Sequence, residues 1–308
     1  MGREIARTKR LDLSSATPPL ESFKILLSKC ASAKGKKRIA VIDIKRAYFY
    51  APAVRPILIE IPEEDKDDND EGLVGQLMLS LYGTRDASQN WTSTYTKLML
   101  DIGFSRGAAS PCNFTHASLD IDVTVHGDDF MAVGSKMALK WLETKMKAKF
   151  EAKVEILGPD PDECREVRIL NRIIRWEQDG LCYEADQRHA ELAVRELGLE
   201  NCKPVATPGC HELCVKDGDL DTETEVLLGA AEAKSFRSIV ARINFLAQDR
   251  ADIQFACKCV CCRMAKPREA DWLKLKRIGR YLKGKPRMVQ KFQFKDGDAN
   301  VTGCCDSD

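Results

Sequence analysis

Three carboxylates in this chain have the type and spacing to hold divalent cations. Asp43 lies at the end of an apolar run, Arg38-Ile39-Ala40-Val41-Ile42-Asp43-Ile44, and Asp128-Asp129 follow 85 positions later, after Val125-His126-Gly127. Acids crowded at the ends of neighbouring strands repel one another unless cations neutralise them. Oxygen-only donors suit Mg2+, and a pair of such ions stabilises both the attacking and the leaving oxygen of a phosphoryl displacement. A polar turn beside an unrelated strand-end aspartate has the same spacing, and spacing alone favours that plainer reading. Other chemistry-bearing residues form weaker patterns. Cys257, Cys259, Cys261 and Cys262 crowd one predicted helix, and Cys210-His211 with Cys214 resembles part of a zinc knuckle. Helical cysteines two apart point to different faces and no second pair has zinc-finger spacing, so buried thiols are expected. His116, His126 and His189 have no Ser or Cys partner at a recognisable spacing, which argues against a hydrolytic triad.

The elements that must position the three acids can be read from periodicity. The run 38–44 is too short and too β-branched for a helix and predicts a buried strand. Ile121, Val123 and Val125 alternate with polar neighbours and apolar residues resume at Phe130, predicting a hairpin with two carboxylates at its turn. Gly127 is expected to weaken a strand there. Upstream, Thr17-Pro18-Pro19 followed by Phe23, Leu26, Leu27 and Cys30 predicts an amphipathic helix over 18–34. Strands are expected at 57–62 and 73–81. A helix capped by Asp86 or Ser88 should then carry Trp91, Tyr95, Leu98, Met99 and Ile102 inward. Residues 135–150 read as a helix, and 167–176 with 181–183 as a second hairpin. Beyond 186 the pattern is mainly helical, at 187–198, 232–248, 252–264 and 268–283, with short strands at 289–294 and 299–305.

Composition bounds the rest. The 308 residues are 44% hydrophobic and 31% charged, which excludes both a disulfide miniprotein and a disordered chain. No secretory segment is visible and no stretch approaches the roughly 18 apolar residues of a membrane span, so a soluble intracellular protein with reduced cysteines is expected. The formal charge of +1 hides an uneven distribution. Residues 1–50 hold twelve Lys/Arg against four Asp/Glu, and residues 263–291 hold eleven against two. Residues 60–71 and 211–232 are acidic. Such runs are ordinarily solvated faces. The helix 268–283, with Trp272 and Tyr281 among Lys274, Lys276, Arg277, Arg280 and Lys283, also has the composition of a rail for a phosphate backbone.

An ordered set of motifs resembles the reverse transcriptases of copia-type LTR retrotransposons. It comprises Val41-Ile42-Asp43-Ile44-Lys45-Arg46-Ala47-Tyr48, Leu81-Tyr82-Gly83 with Trp91 downstream, and Val125-His126-Gly127-Asp128-Asp129. Cys202-Lys203-Pro204-Val205-Ala206-Thr207-Pro208, Phe236-Arg237-Ser238-Ile239-Val240 and Arg280-Tyr281-Leu282-Lys283-Gly284 follow in family order. The chain departs from the family pattern at Thr84, Arg85, Asp86 and Ser88, and at His126-Gly127, where Tyr and an apolar residue are usual. In terms of the resemblance, Arg7, Lys9 and Arg10 would be remnants of the family's basic fingers residues that grip a triphosphate.

The resemblance implies an α+β right-hand polymerase with an antiparallel palm sheet: fingers and palm over 1–185, thumb and connection region over 186–298, and a truncated RNase H start over 299–308. It implies an RNA-directed DNA polymerase in which Asp43, Asp128 and Asp129 hold two Mg2+ ions. Tyr48 would lie beneath the incoming sugar and exclude a 2′-OH, while Tyr82, Gly83 and Arg85 would contact the nucleotide. Lys274, Arg277, Arg280 and Lys283 would grip nucleic acid. The implied partners are an RNA template, a DNA primer, their RNA/DNA hybrid and dNTPs, in a cytoplasmic virus-like particle or the nucleus. Asp306 would be the first RNase H acid, with the others beyond the chain, so no RNase H activity is expected. A catalytically inactive relic that keeps the fold and binds nucleic acid is the alternative. An unrelated metal-dependent phosphotransferase is a third reading, which the ordered downstream motifs disfavour.

Overall fold

A computed structural model describes residues 15–33, 35–67, 72–185, 187–209 and 226–296. In chain order the first elements are α1 (Leu20–Ala31), β1 (Arg38–Ile44), β2 (Leu58–Glu60), β3 (Val74–Gln76), α2 (Ala87–Asp101), β4 (Ser105–Arg106) and β5 (Asn113–His116). Then come β6 (Ile121–His126), β7 (Asp129–Gly134), α3 (Lys136–Lys147), β8 (Ala152–Leu157), β9 (Glu166–Ile169), β10 (Arg172–Trp176) and β11 (Gly180–Ala185). The remainder is α4 (Arg188–Glu196), α5 (Ala230–Ala247), α6 (Gln254–Cys261), α7 (Glu269–Gly284) and β12 (Val289–Gln293). The result is a mixed α/β protein with antiparallel sheets.

The largest sheet has six strands in the order β4-β5-β6-β7-β1-β8, every neighbouring pair antiparallel. Its register sets Arg38 opposite Gly134 and Asp43 opposite Asp129 on one side of β1, and Ile39 opposite Leu157 on the other. Every residue of β1 except Asp43 is buried, as expected of an interior strand in a sheet covered on both faces. The helices that cover it do so with faces of helical period. From α2, Trp91, Tyr95 and Met99 enter a core that includes Ile42, Ile44, Phe114, Val123, Phe130, Leu142 and Phe150. Ser135 caps α3 by accepting a hydrogen bond from Ala138 N at 3.3 Å.

The chain divides into two compact units, one within residues 1–167, 176–181 and 292–308 and the other within 168–175 and 182–291. The second has its own core, built from Ala190 and Ala193 of α4, Phe236, Ile239 and Ile243 of α5, Val260 of α6 and Leu275, Ile278 and Leu282 of α7. α7 comes so close to the end of α4 that a Cβ on Gly279 would stand 2.6 Å from Leu197 Cδ1 and 2.7 Å from Leu199 Cδ1, so a larger residue there would have to displace both leucine side chains. A buried polar knot braces this unit: the Arg172 guanidinium reaches Asp249 Oδ2 at 2.9 Å, and the Tyr183 hydroxyl donates to Asp249 Oδ1. Strands β12, β11, β10 and β9 form a four-stranded sheet in that order.

Several sequence expectations change. The strand expected over 73–81 is only β3, because Leu79 makes an isolated bridge with Pro52 instead of continuing a ladder. The segment 167–176 is two strands. Leu170 and Asn171 between them both have positive φ, 49° and 59°, as a tight I′ hairpin turn requires. Asp86 stands at the N-cap of α2, but its side chain makes no capping bond. β4, β5 and β8, which complete the large sheet, had no clear sequence signal. Arg7, Lys9, Arg10, the Cys210-His211 and Cys214 group, the strand at 299–305 and Asp306 lie outside the described residues. Among the described residues no helix is long and apolar enough to cross a membrane.

Candidate functional site

Asp43 is the penultimate residue of β1. Its partner across the ladder is Asp129, the first residue of β7, and Asp129 is paired on its other side with His126, the last of β6. Residues directly opposite one another project to the same sheet face, so His126, Asp129 and Asp43 form a row across three strands. Asp128 sits in the two-residue turn between β6 and β7, after Gly127. Gly127 has a φ of +66°, whereas Asp128 is not among the residues with positive φ. Glycine first with an ordinary φ second is the II′ hairpin pattern. A Cβ on Gly127 would meet nothing within 4 Å, so glycine is needed there for its conformation. The expectation that Gly127 weakens a strand is thereby corrected: it lies in the turn and makes the tight reversal possible. Both carbonyls of the turn are held, Gly127 O by Trp91 Nε1 at 2.8 Å and Asp128 O by Ile44 N at 3.3 Å.

The electrostatics of the row are unbalanced. Burial first, and then the carboxylates of Asp128 and Asp43, push the Asp129 pKa up to about 6. No described Lys or Arg pairs with any of the three acids. Lys45, two residues from Asp43, is committed to Glu151 at 2.5 Å. Crowded acids without a counter-charge are what a divalent cation relieves, and an all-oxygen donor set fits Mg2+ in kind. Among the described residues no three His, Cys, Asp or Glu side chains are already gathered around one point.

An aromatic shelf adjoins the acids. The short 3-10 turn Ala47–Tyr50 is entered through Arg46 in the left-handed conformation, φ 56°. Tyr48 on that turn packs against Tyr82 with ring centroids 4.4 Å apart, and Phe49 meets the same ring edge-on at 5.8 Å. The Tyr82 phenol is raised by burial, then by the charge of Asp128 and by Tyr48, which ties the shelf to the acidic turn. Gly83 follows with φ +92°. The segment is anchored by Ser80 N donating to Ala51 O at 2.8 Å and by Asn90 Nδ2 donating to Ser80 Oγ at 3.0 Å. Arg85 is exposed. Beside it, the hydrogen bond from Arg55 Nη2 at 3.1 Å holds the Asp86 carboxyl below its usual range.

The basic residues of α7 are partly engaged within their own unit. Arg277 Nη2 donates to Thr207 Oγ1 at 3.0 Å, Arg280 Nε to Lys203 O at 2.8 Å and Lys283 Nζ to Cys202 O at 2.5 Å. Lys274 lies 3.5 Å from Asp271. The composition of this helix suits a rail for a phosphate backbone, and three of these four side chains also strap the 202–207 segment to it. Guanidinium and ammonium groups carry several donors each, so further contacts stay open to them. Elsewhere in this unit, Cys257 and Cys261 face each other with Sγ atoms 3.7 Å apart, and burial pushes the Cys257 thiol up to about 12. That thiol stays protonated. Sequence reasoning placed Trp91 only as a core residue and missed its bond to the turn. The available signal was chemical: a buried indole N–H needs an acceptor.

Comparison with known proteins gives one family and several relatives. The family described as reverse transcriptase (RNA-dependent DNA polymerase) matches residues 3–209. The chain is 22% identical over 277 residues to the retrovirus-related Pol polyprotein from transposon TNT 1-94 of Nicotiana tabacum, covering 89% of this chain and 20% of that protein. It is 21% identical over 277 residues to the Pol polyprotein from transposon RE2 of Arabidopsis thaliana, covering 88% and 18%. An uncharacterised mitochondrial protein of Arabidopsis thaliana is 32% identical over 182 residues, 59% of this chain and 68% of that protein. The chain thus spans about a fifth of the length of the Pol polyproteins it matches.

Proposed function

Because the chain belongs to the reverse transcriptase (RNA-dependent DNA polymerase) family, we propose that it is the RNA-directed DNA polymerase domain of a copia-type retrotransposon Pol polyprotein. Its reaction would extend a DNA primer on an RNA template with dNTPs. In this reading residues 1–185 supply fingers and palm, and residues 186–298 supply thumb and connection region. The observation that carries the reading is the row of uncompensated acids at the β1–β7 ladder, with Asp128 on a braced turn and Tyr48 and Tyr82 beside it.

Asp43, Asp128 and Asp129 would hold two Mg2+ ions. Such ions, when bound, lower the pKa of the primer 3′-OH and neutralise the leaving pyrophosphate. The chain's own residues do the positioning, which is where catalysis of phosphoryl transfer chiefly lies. The rigid ladder fixes Asp43 against Asp129, and the II′ turn presents Asp128 ahead of them. Tyr48 offers a ring face beneath the sugar of the dNTP and leaves little room for a 2′-OH. Tyr82 and Gly83 form the surface on which the nucleotide rests, and Arg85, exposed nearby in sequence, is available to its phosphates.

Primer extension on poly(rA)/oligo(dT) with Mg2+ tests the reading. Wild type should extend the primer, and Asp128→Asn should lose extension while keeping its circular dichroism spectrum and melting temperature. An Asp128→Asn protein that still extends the primer would sink the assignment of this acid. A folded wild type that binds the hybrid without extending it would support the inactive relic instead.

A further inference from the structure

The turn that carries Asp128 has two conformations within reach. Types I′ and II′ both place their first central residue at positive φ, and they differ chiefly by a flip of the peptide between the two central residues. The I′ form also needs positive φ at the second central residue, and aspartate is among the few residues that tolerate it. With Gly127 at +66° and Asp128 outside the positive region, the turn here is II′. The carbonyl of the peptide that would flip is Gly127 O. In most two-residue hairpins that oxygen faces water. Here it accepts the indole N–H of Trp91 at 2.8 Å.

Trp91 is well built to hold it. The residue is 1% exposed, and its ring is fixed by edge contacts to Tyr95 at 5.5 Å, Phe150 at 5.1 Å and Phe130 at 6.5 Å. Rotating the Gly127–Asp128 peptide would withdraw the carbonyl and leave a core N–H unpaired, a penalised state. It would also turn the Asp128 backbone, and with it the direction of the Cα–Cβ bond. We propose that Trp91 is a positioning residue that locks the 127–128 turn in its II′ form and so fixes the direction in which the Asp128 carboxylate leaves the backbone. The consequence for activity rests on the polymerase reading; the lock itself does not.

Trp91→Phe keeps an aromatic ring and removes the N–H. Two measurements on the full chain test the proposal. In NMR of glycine- and aspartate-labelled protein, a II′ turn gives a strong cross-peak between Gly127 Hα and the Asp128 amide proton, and a I′ turn gives one between the two amide protons. Wild type should show the first alone and Trp91→Phe should show both. In steady-state primer extension, Trp91→Phe should lower kcat about tenfold while KM for dNTP and affinity for the hybrid stay near wild type. A merely structural role would reduce the folded fraction without altering the cross-peak pattern. If Trp91→Phe does not fold, Trp91→benzothienylalanine, which puts sulfur in place of the N–H, takes its place in both measurements. Unchanged cross-peaks, or an unchanged kcat in an extending enzyme, overturn the proposal. Shifted cross-peaks in a protein whose wild type does not extend primers leave the lock standing and count against the polymerase reading.

Discussion

Asp129 is the residue on which local chemistry and stability meet. Its carboxyl is raised to about 6 by burial and by the neighbouring carboxylates, so without cations the folded state holds a proton that the unfolded chain, at an ordinary aspartate value, has released. The unfolded state then binds fewer protons between about pH 4 and 6, and stability falls as pH rises through that window. Below it both states are protonated and the effect is absent. Asp129→Asn should therefore stabilise the cation-free protein above pH 6 by about 1 kcal/mol once solvent screening is allowed for, and flatten the pH dependence of its melting temperature. Added Mg2+ should raise the melting temperature of wild type more at pH 7 than at pH 5. A wild-type melting curve indifferent to pH and to Mg2+ contradicts the placement of the three acids.

At the scale of elements, α7 carries two demands on one face. Its basic residues have the composition to grip phosphate, yet Arg277, Arg280 and Lys283 hold the 202–207 segment through a hydroxyl and two backbone carbonyls. A segment containing Pro204 and Pro208 cannot form a regular ladder of its own, so these side-chain donors substitute for the missing backbone partners. Arg280→Ala should cost about 1 kcal/mol and speed proteolytic nicking within 203–209. Lys276→Ala should leave the nicking rate unchanged. Equal nicking rates in the two variants would show that α7 is not the strap. The β6–β7 hairpin shows a related economy: the same glycine that reads as a strand breaker gives the sheet its tightest reversal at the place where an acid must project.

Over the whole molecule, a formal charge of +1 says little about partners because the charge is segregated. Residues 263–291 are strongly basic and residues 60–71 strongly acidic, so an RNA/DNA hybrid would meet local fields far larger than the total. Binding by phosphate neutralisation releases counterions, so the affinity for a hybrid should fall by about tenfold or more between roughly 50 and 200 mM salt. A filter-binding or anisotropy titration against salt measures this. Affinity independent of salt would remove the basic helix from the nucleic-acid interface.

The sequence by itself determined the buried strand with its single acid, the hairpin with its second and third acids, most of the helices and the family, because these depend on local periodicity and on motif order. It did not reveal β4, β5 and β8, or that 167–176 folds as two strands, since short strands completed by distant partners carry little periodic signal. Only the tertiary structure decided that Asp43 and Asp129 face each other in register, that burial and then the neighbouring carboxylates raise the Asp129 pKa, and that Trp91 reaches the turn from another element. Register, proximity and hydrogen bonding between remote segments depend on how the chain packs, and no spacing along one strand or helix specifies them.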